Sequence, residues 1–466
     1  MSADQPPVGG AAESRRGALA ALLPLVPLLL GTFTGTLANT IVNVPLSMIL
    51  DDLGVPLSAG ALLVVAFTVT FAVLLPISGW LGDRYGHRRV FAAAMAVLGT
   101  ASAGAALAPG LGALVAVRAV QGAATAAMLP TVMALISALF DGAARGRALA
   151  LWAATNGIGQ AAGPALGGGL ATWLGWRAVF WPIVPVGLAA AVAAVRLVPC
   201  DRPRAVPLEW RGAALLTLAA GLALGAASAV APLGLGSPAV WLGAPAALLA
   251  AGAFLLAERG RADAFLPPRL LLEIRYLRSC LTVLAQMFCL GATLLGVPLY
   301  LTTERGAGTL TAGALLLCLP IAMAVLAPPV GAAMERLGAR PVLRAGLVLL
   351  VAGQALAAAV LTDRYYAVPP LLAALLLTGA GVALVQTPAA TGATRSRAGR
   401  YGAGLGLFNL VRFGGSALGA AWVAAVLDRG PSFGAVFAGC AAVAALGLLS
   451  SFAGPDPAPP PGPPAR

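Results

Sequence analysis

Apolar runs long enough to cross a bilayer follow one another along nearly the whole chain, separated by short loops that collect Gly, Pro and charged residues. A spanning helix needs about 20 mainly apolar residues. Fourteen stretches qualify, at 18–48, 59–80, 90–108, 111–139, 148–172, 177–197, 212–232, 238–257, 280–302, 311–333, 345–361, 369–393, 402–426 and 432–453. The eleventh sits at the lower limit of length, and the seventh and eighth carry the least internal pattern. The expected fold is an all-α membrane protein with fourteen transmembrane helices.

The polar loops repeat as well. Gly79-Trp80-Leu81-Gly82-Asp83-Arg84-Tyr85-Gly86-His87-Arg88-Arg89 returns 252 residues later as Gly331-Ala332-Ala333-Met334-Glu335-Arg336-Leu337-Gly338-Ala339-Arg340. Gly163-Pro164-Ala165-Leu166-Gly167 lies over Gly415-Ser416-Ala417-Leu418-Gly419 at the same offset. Two matches at one spacing indicate a duplication, and parallel repeats of this kind are a feature of secondary transporters. The halves are residues 18–197 and 280–453, six helices each. Between them, 198–279 is a linker holding two further helices. Residues 1–17 form a polar N-terminal tail and 454–466 a Pro-rich, disordered one.

Composition agrees with this class: 60% of residues are hydrophobic, 10% are charged, and the mean hydropathy is +0.92. All 29 basic residues are Arg. With both termini in the cytoplasm, Arg177, Arg305, Arg364 and Arg429 face outward, Arg118 and Arg412 lie within spans, and the other 23 are cytoplasmic or at that boundary. That asymmetry follows the positive-inside rule. The net charge of +13 is then an orientation signal and not a nucleic-acid surface. Five scattered cysteines and the lone His87 have no metal-ligand spacing. Neither a nucleophile–base pair nor a phosphate loop is apparent, so no enzyme activity, cofactor or metal is expected.

The loop from Gly79 to Arg89 resembles the helix 2–3 signature of the major facilitator superfamily. Leu114-x3-Arg118-x2-Gln121-Gly122 looks like that family's arginine motif. Gly159-x3-Gly163-Pro164-x2-Gly167-Gly168 is similar to its antiporter motif, and Thr40-Ile41-Val42-Asn43 and Trp176-Arg177-x2-Phe180 add to the likeness. Together these resemble the fourteen-helix drug:proton antiporter branch. The resemblance implies an exporter of hydrophobic drugs or secondary metabolites in a bacterial inner membrane, working by alternating access with proton antiport. Its partners would be protons, the lipid bilayer and a small substrate, and it would act as a monomer. Lipophilic cations are common substrates in the family, but Arg118 and Arg412 with no acid in the spans favour a neutral or anionic substrate here.

The resemblance also assigns roles. Asp83, Arg84 and Arg88 would form a cytoplasmic gate with Gly79 and Gly86, repeated by Glu335, Arg336 and Arg340; alternatively the arginines only set orientation. Arg118, with Gln121 on the same helical face, would serve coupling or substrate contact, or else bond backbone carbonyls structurally. Asn43, Gln160, Asn409 and Arg412 are candidates for lining the central region, with Arg412 aligned under Gln160. Gly159, Gly163 and Gly167 give a smooth stripe bent by Pro164, expected to be a sliding surface between the halves or a packing surface.

The acid usual in span 1 is Ala38 here, and none of the 16 acidic residues lies deep in a span. A proton carrier normally needs such a group. A proton-independent facilitator, a lipid-type flippase and a transport-dead sensor therefore remain as alternatives.

Overall fold

The computed structural model describes residues 23–42, 44–55, 57–201, 203, 209–234, 236–261, 264–307, 309–361, 367–428, 430 and 433–454. Asn43 and both tails lie outside them. Every regular element described is helical. The first half comprises α1 (Leu25–Thr40), α2 (Leu46–Asp52), α3 (Leu57–Tyr85), α4 (His87–Ala106), α5 (Leu111–Leu139), α6 (Gly142–Leu174) and α7 (Ile183–Leu197). A hairpin of α8 (Trp210–Leu233) and α9 (Pro238–Glu258) follows, then the short α10 (Pro268–Leu271). The second half comprises α11 (Ile274–Thr303), α12 (Thr309–Leu316), α13 (Cys318–Leu337), α14 (Ala339–Val360), α15 (Val368–Arg395), α16 (Gly402–Leu427) and α17 (Phe433–Ser450).

Helices cover all fourteen expected spans, yet the count of fourteen crossings is not reproduced. Eleven described helices are long and apolar enough to cross a membrane, and twelve if one bent pair is a single span. The bend, of 49°, comes where Pro328 and Pro329 enter α13 and remove backbone donors. The predicted first span divides into α1 and α2 before Pro45, leaving α1 with 16 residues. At 33 residues α6 has the length, but it is dense in Gly and Ala and carries Asn156 and Gln160.

Two seams join the halves: α3 packs on α16, and α6 on α13. These are the same pairing seen twice, because the 252 offset carries α3 onto α13 and α6 onto α16. At the first seam a methyl group on Gly79 would strike the Gly402 backbone, and one on Gly406 the Leu75 carbonyl. Close backbone approach of this kind is the main reason membrane helices carry small residues at interfaces. A buried apolar core runs through the seam, from Phe67 and Trp152 to Val283 and Phe408. The inserted α8 covers the α3–α16 seam, while α9 turns Trp241, Leu248 and Leu249 outward, as a lipid-facing helix should.

Candidate functional site

The signature loop ends α3 and starts α4 in one tight turn. Gly86 has φ +92°, and its repeat Gly338, between α13 and α14, has φ +86°. Side chains avoid that region, which explains the glycine at both places. At the turn, Asp83 reaches across the seam: its Oδ2 accepts from the Gly402 amide at 2.6 Å. Gly402 is the first residue of α16, so a carboxylate meets the positive end of a helix. Asp83 is 8% exposed, and its Oδ1 lies 3.3 Å from Nε2 of His87. The repeat supplies a weaker counterpart, with Glu335 on α13 3.4 Å from Arg147 on α6 and both side chains open to solvent. Two latches therefore tie the halves at one face.

Arg88 and Arg340, by contrast, bond carbonyls of their own halves. Arg88 donates to the Val195 and Val198 carbonyls at the end of α7, at 3.4 and 3.2 Å. Arg340 donates to the Ala453 and Gly454 carbonyls after α17. Each arginine thus closes the C-terminal end of the last helix in its own half, where a cation is favoured. Arg84 and Arg336 are exposed. Asp201 braces the turn by accepting from the amides of His87 and Arg88.

Arg118 is fully buried, and its bonds fit the structural alternative. Nη1 donates to the Ala38 carbonyl at 2.8 Å and to Gln121 Oε1 at 3.0 Å. Nε reaches the Leu63 carbonyl at 3.5 Å, and the guanidinium lies 4.4 Å from the Phe67 ring centre. Gln121 passes the chain on to Ser102 Oγ at 2.8 Å. At the position where the resemblance expects an acid, Arg118 meets the backbone oxygen of Ala38 instead.

Gln160 and Arg412, equivalent under the repeat, converge on one atom. Gln160 Nε2 donates to Asn156 Oδ1 at 2.6 Å, and Arg412 Nη2 donates to the same oxygen from across the seam. Arg412 also approaches Asn409 Oδ1 at 3.5 Å and lies 5.1 and 4.8 Å from the ring centres of Trp152 and Phe413. No carboxylate among the described residues contacts it. Three buried donors here have no acceptor: Arg412 Nε, Asn156 Nδ2 and Trp152 Nε1. Trp152 was missed in the sequence, although Trp152, Asn156 and Gln160 recur every four residues on one face of α6. Elsewhere the span polars stitch helices, as when Gln354 donates to Thr293 and Thr378.

The glycine stripe corrects the sliding-surface expectation. A methyl on Gly159 would strike Thr36, one on Gly163 Thr40, and one on Gly167 the Ile41 carbonyl. All three contacts are with α1 and the turn after it, so the stripe packs within the first half, and Pro164 stands on that same stretch of α6. The face of α6 turned to the second half carries Gly157, against Met323.

A cavity of about 880 Å³ opens at the latch face, lined by Asp83, His87, Arg145, Arg275 and Arg395 among others. Deeper at the seam, between Ala153, Met323, Gln386 and Thr387, no space large enough for a water molecule is left.

Comparison with known proteins places these features in context. A family model described as Major Facilitator Superfamily matches residues 28–272 and 279–466. Multidrug resistance protein Stp of Mycobacterium tuberculosis is 30% identical over 419 residues, 87% of this chain and 77% of that one. Puromycin resistance protein pur8 of Streptomyces alboniger is 32% identical over 404 residues, 85% of this chain and 80% of that one. Among solved structures, the human organic anion transporter MFSD10 superposes with a TM-score of 0.68 at 18% identity, covering 92% of this chain and 99% of that one.

Proposed function

The chain belongs to the major facilitator superfamily, and from that premise we propose that it exports small hydrophobic compounds, neutral or anionic, by alternating access. Similarity to relatives named for multidrug and puromycin resistance supports drug or antibiotic export. The observation that carries the reading is the pair of repeat-related latches at one face, beneath which a buried polar cluster bridges the two halves between α6 and α16. Opening the latches would expose the cluster to one side, and rocking the halves would expose it to the other. On this reading the protein is a monomer with fourteen crossings of a bacterial inner membrane, and the arginine asymmetry supports a cytoplasmic latch face with both termini on that side.

Proton antiport is the family's usual energy source. Asp83 lines the latch-face cavity and lies within the last turn of α3. A proton-independent facilitator is the second reading, favoured because the acids in the described spans all lie in a last helical turn. Export is tested by producing the protein in an efflux-deficient bacterium and measuring susceptibility and accumulation for a panel of neutral, anionic and cationic drugs. Lower accumulation of at least one neutral or anionic compound is expected, and it should vanish in Gly402→Val. Accumulation unchanged for every compound would contradict export.

A further inference from the structure

A proton carrier must bind and release its proton while facing each side in turn. Among the described residues every acid lies in a loop, a cap or the last turn of a helix. The two buried ones, Asp83 and Glu258, sit at the latch and at the end of the α8–α9 hairpin. The only histidine, His87, is in the first turn of α4 beside that latch. At the seam the structure has the reverse: Arg412, ten residues or about 15 Å into α16, with no carboxylate opposite it. An arginine does not give up its proton in a protein, and an unpaired buried charge is strongly unfavourable.

Building on the export reading above, we propose that Arg412, Asn156 and Trp152 seat an anionic group of the exported compound, a carboxylate or sulfonate, and that the membrane potential drives its export. The three unpartnered atoms, Arg412 Nε, Asn156 Nδ2 and Trp152 Nε1, are all donors and suit the lone pairs of one oxyanion. An anion there supplies the missing counter-charge and competes with Asn156 Oδ1 for Arg412, a bond that joins the two halves. Substrate binding thereby loosens one of the contacts that must break when the halves part. The approach is also positive: Arg275 and Arg395 line the latch-face cavity, beside Arg145, which pairs with Asp141. The two aspartates in its wall are already engaged, Asp83 by Gly402 and Asp201 by the turn amides. Over a full cycle the protein's own charges return, so the net charge moved is that of the substrate. An inside-negative potential pushes a monovalent anion outward, and a potential of ~100 mV supports about 50-fold accumulation, the ratio equivalent to ~2.3 kcal/mol.

The test uses everted membrane vesicles containing the full chain, with latch faces outward. Probes are radiolabelled 1-naphthalenesulfonate and benzylpenicillin, anionic at all working pH values, with chloramphenicol as neutral and ethidium as cationic comparison. A lumen-positive potential set by potassium and valinomycin should drive accumulation of at least one anion, up to about 50-fold per ~100 mV. An imposed pH gradient at zero potential should not. Arg412→Gln should abolish anion uptake, and Arg412→Lys should restore part of it. Anion uptake that follows the pH gradient, or that survives Arg412→Gln, overturns the proposal. Transport of chloramphenicol without either anion overturns it while the export reading stands, and transport of ethidium alone overturns both. Transport of no probe overturns both.

Discussion

Replacing Asp83 with Asn keeps the side chain's shape and an acceptor oxygen but removes its charge, which isolates the electrostatic part of the first latch. In the closed latch the carboxylate accepts from the first amide of α16 at 2.6 Å. A hydrogen bond to a charged group contributes about 1.5–3 kcal/mol, against about 0.5–1.5 for a neutral one. The helix dipole adds ~0.3–1 kcal/mol, more where the charge is partly buried, and at 8% exposure solvent screens it little. Asp83→Asn should therefore weaken the latch by about 1–2 kcal/mol, shifting the open population about 5–30-fold. Spin labels on Arg89→Cys and Arg397→Cys, with the native cysteines replaced, report the opening by pulsed electron double resonance. Both positions are exposed and lie on opposite halves at the latch face. Glu335→Gln, breaking a solvent-exposed pair, should shift the same distribution by less than about 5-fold, since such pairs contribute ~0.2–1 kcal/mol. An unchanged distance distribution in Asp83→Asn, or a larger shift from Glu335→Gln, would refute the assignment of Asp83 as the stronger latch.

Other consequences follow from single contacts. Gly79→Val cannot approach Gly402, so transport in vesicles should fall at least ~10-fold while the protein still folds, because the clash exists only with the latch closed. Arg118→Gln removes several hydrogen bonds from a charged donor, and thermal unfolding in detergent should show a loss of about 3 kcal/mol or more. Asp52 is held below its usual pKa, first by the Trp176 hydrogen bond and then by Arg177. Its contribution is complete above pH ~4 and disappears as pH falls through the lower folded value. Stability of Asp52→Asn and wild type should therefore converge at low pH, and a constant difference from pH 6 to 2 would refute this.

Much of the architecture was legible because duplication and hydropathy leave long, redundant signals. The 252 offset located both turn glycines, both latch acids and the Gln160–Arg412 pair. What escaped was information carried by the partner and not by the residue. Asp83 pairs with a backbone amide, which has no side-chain signature. Arg88 and Arg340 read as gate charges, yet the carbonyls they meet lie in their own halves. The stripe at Gly159, Gly163 and Gly167 marks a close contact but cannot say with which helix. Arg118 and Arg412 look alike in sequence, and only the surrounding carbonyls separate a satisfied arginine from one left with an unpartnered donor.

The most direct test of the account is directional flux. Wild-type protein and Gly79→Val would be reconstituted in liposomes, with orientation set by which face is accessible to a protease. Compounds identified by the susceptibility panel would be followed by isotope under an imposed potential and pH gradient. The account predicts net movement from the latch face to the opposite face in wild type and little in the variant. Equal flux in the two proteins, or net movement toward the latch face, would contradict it.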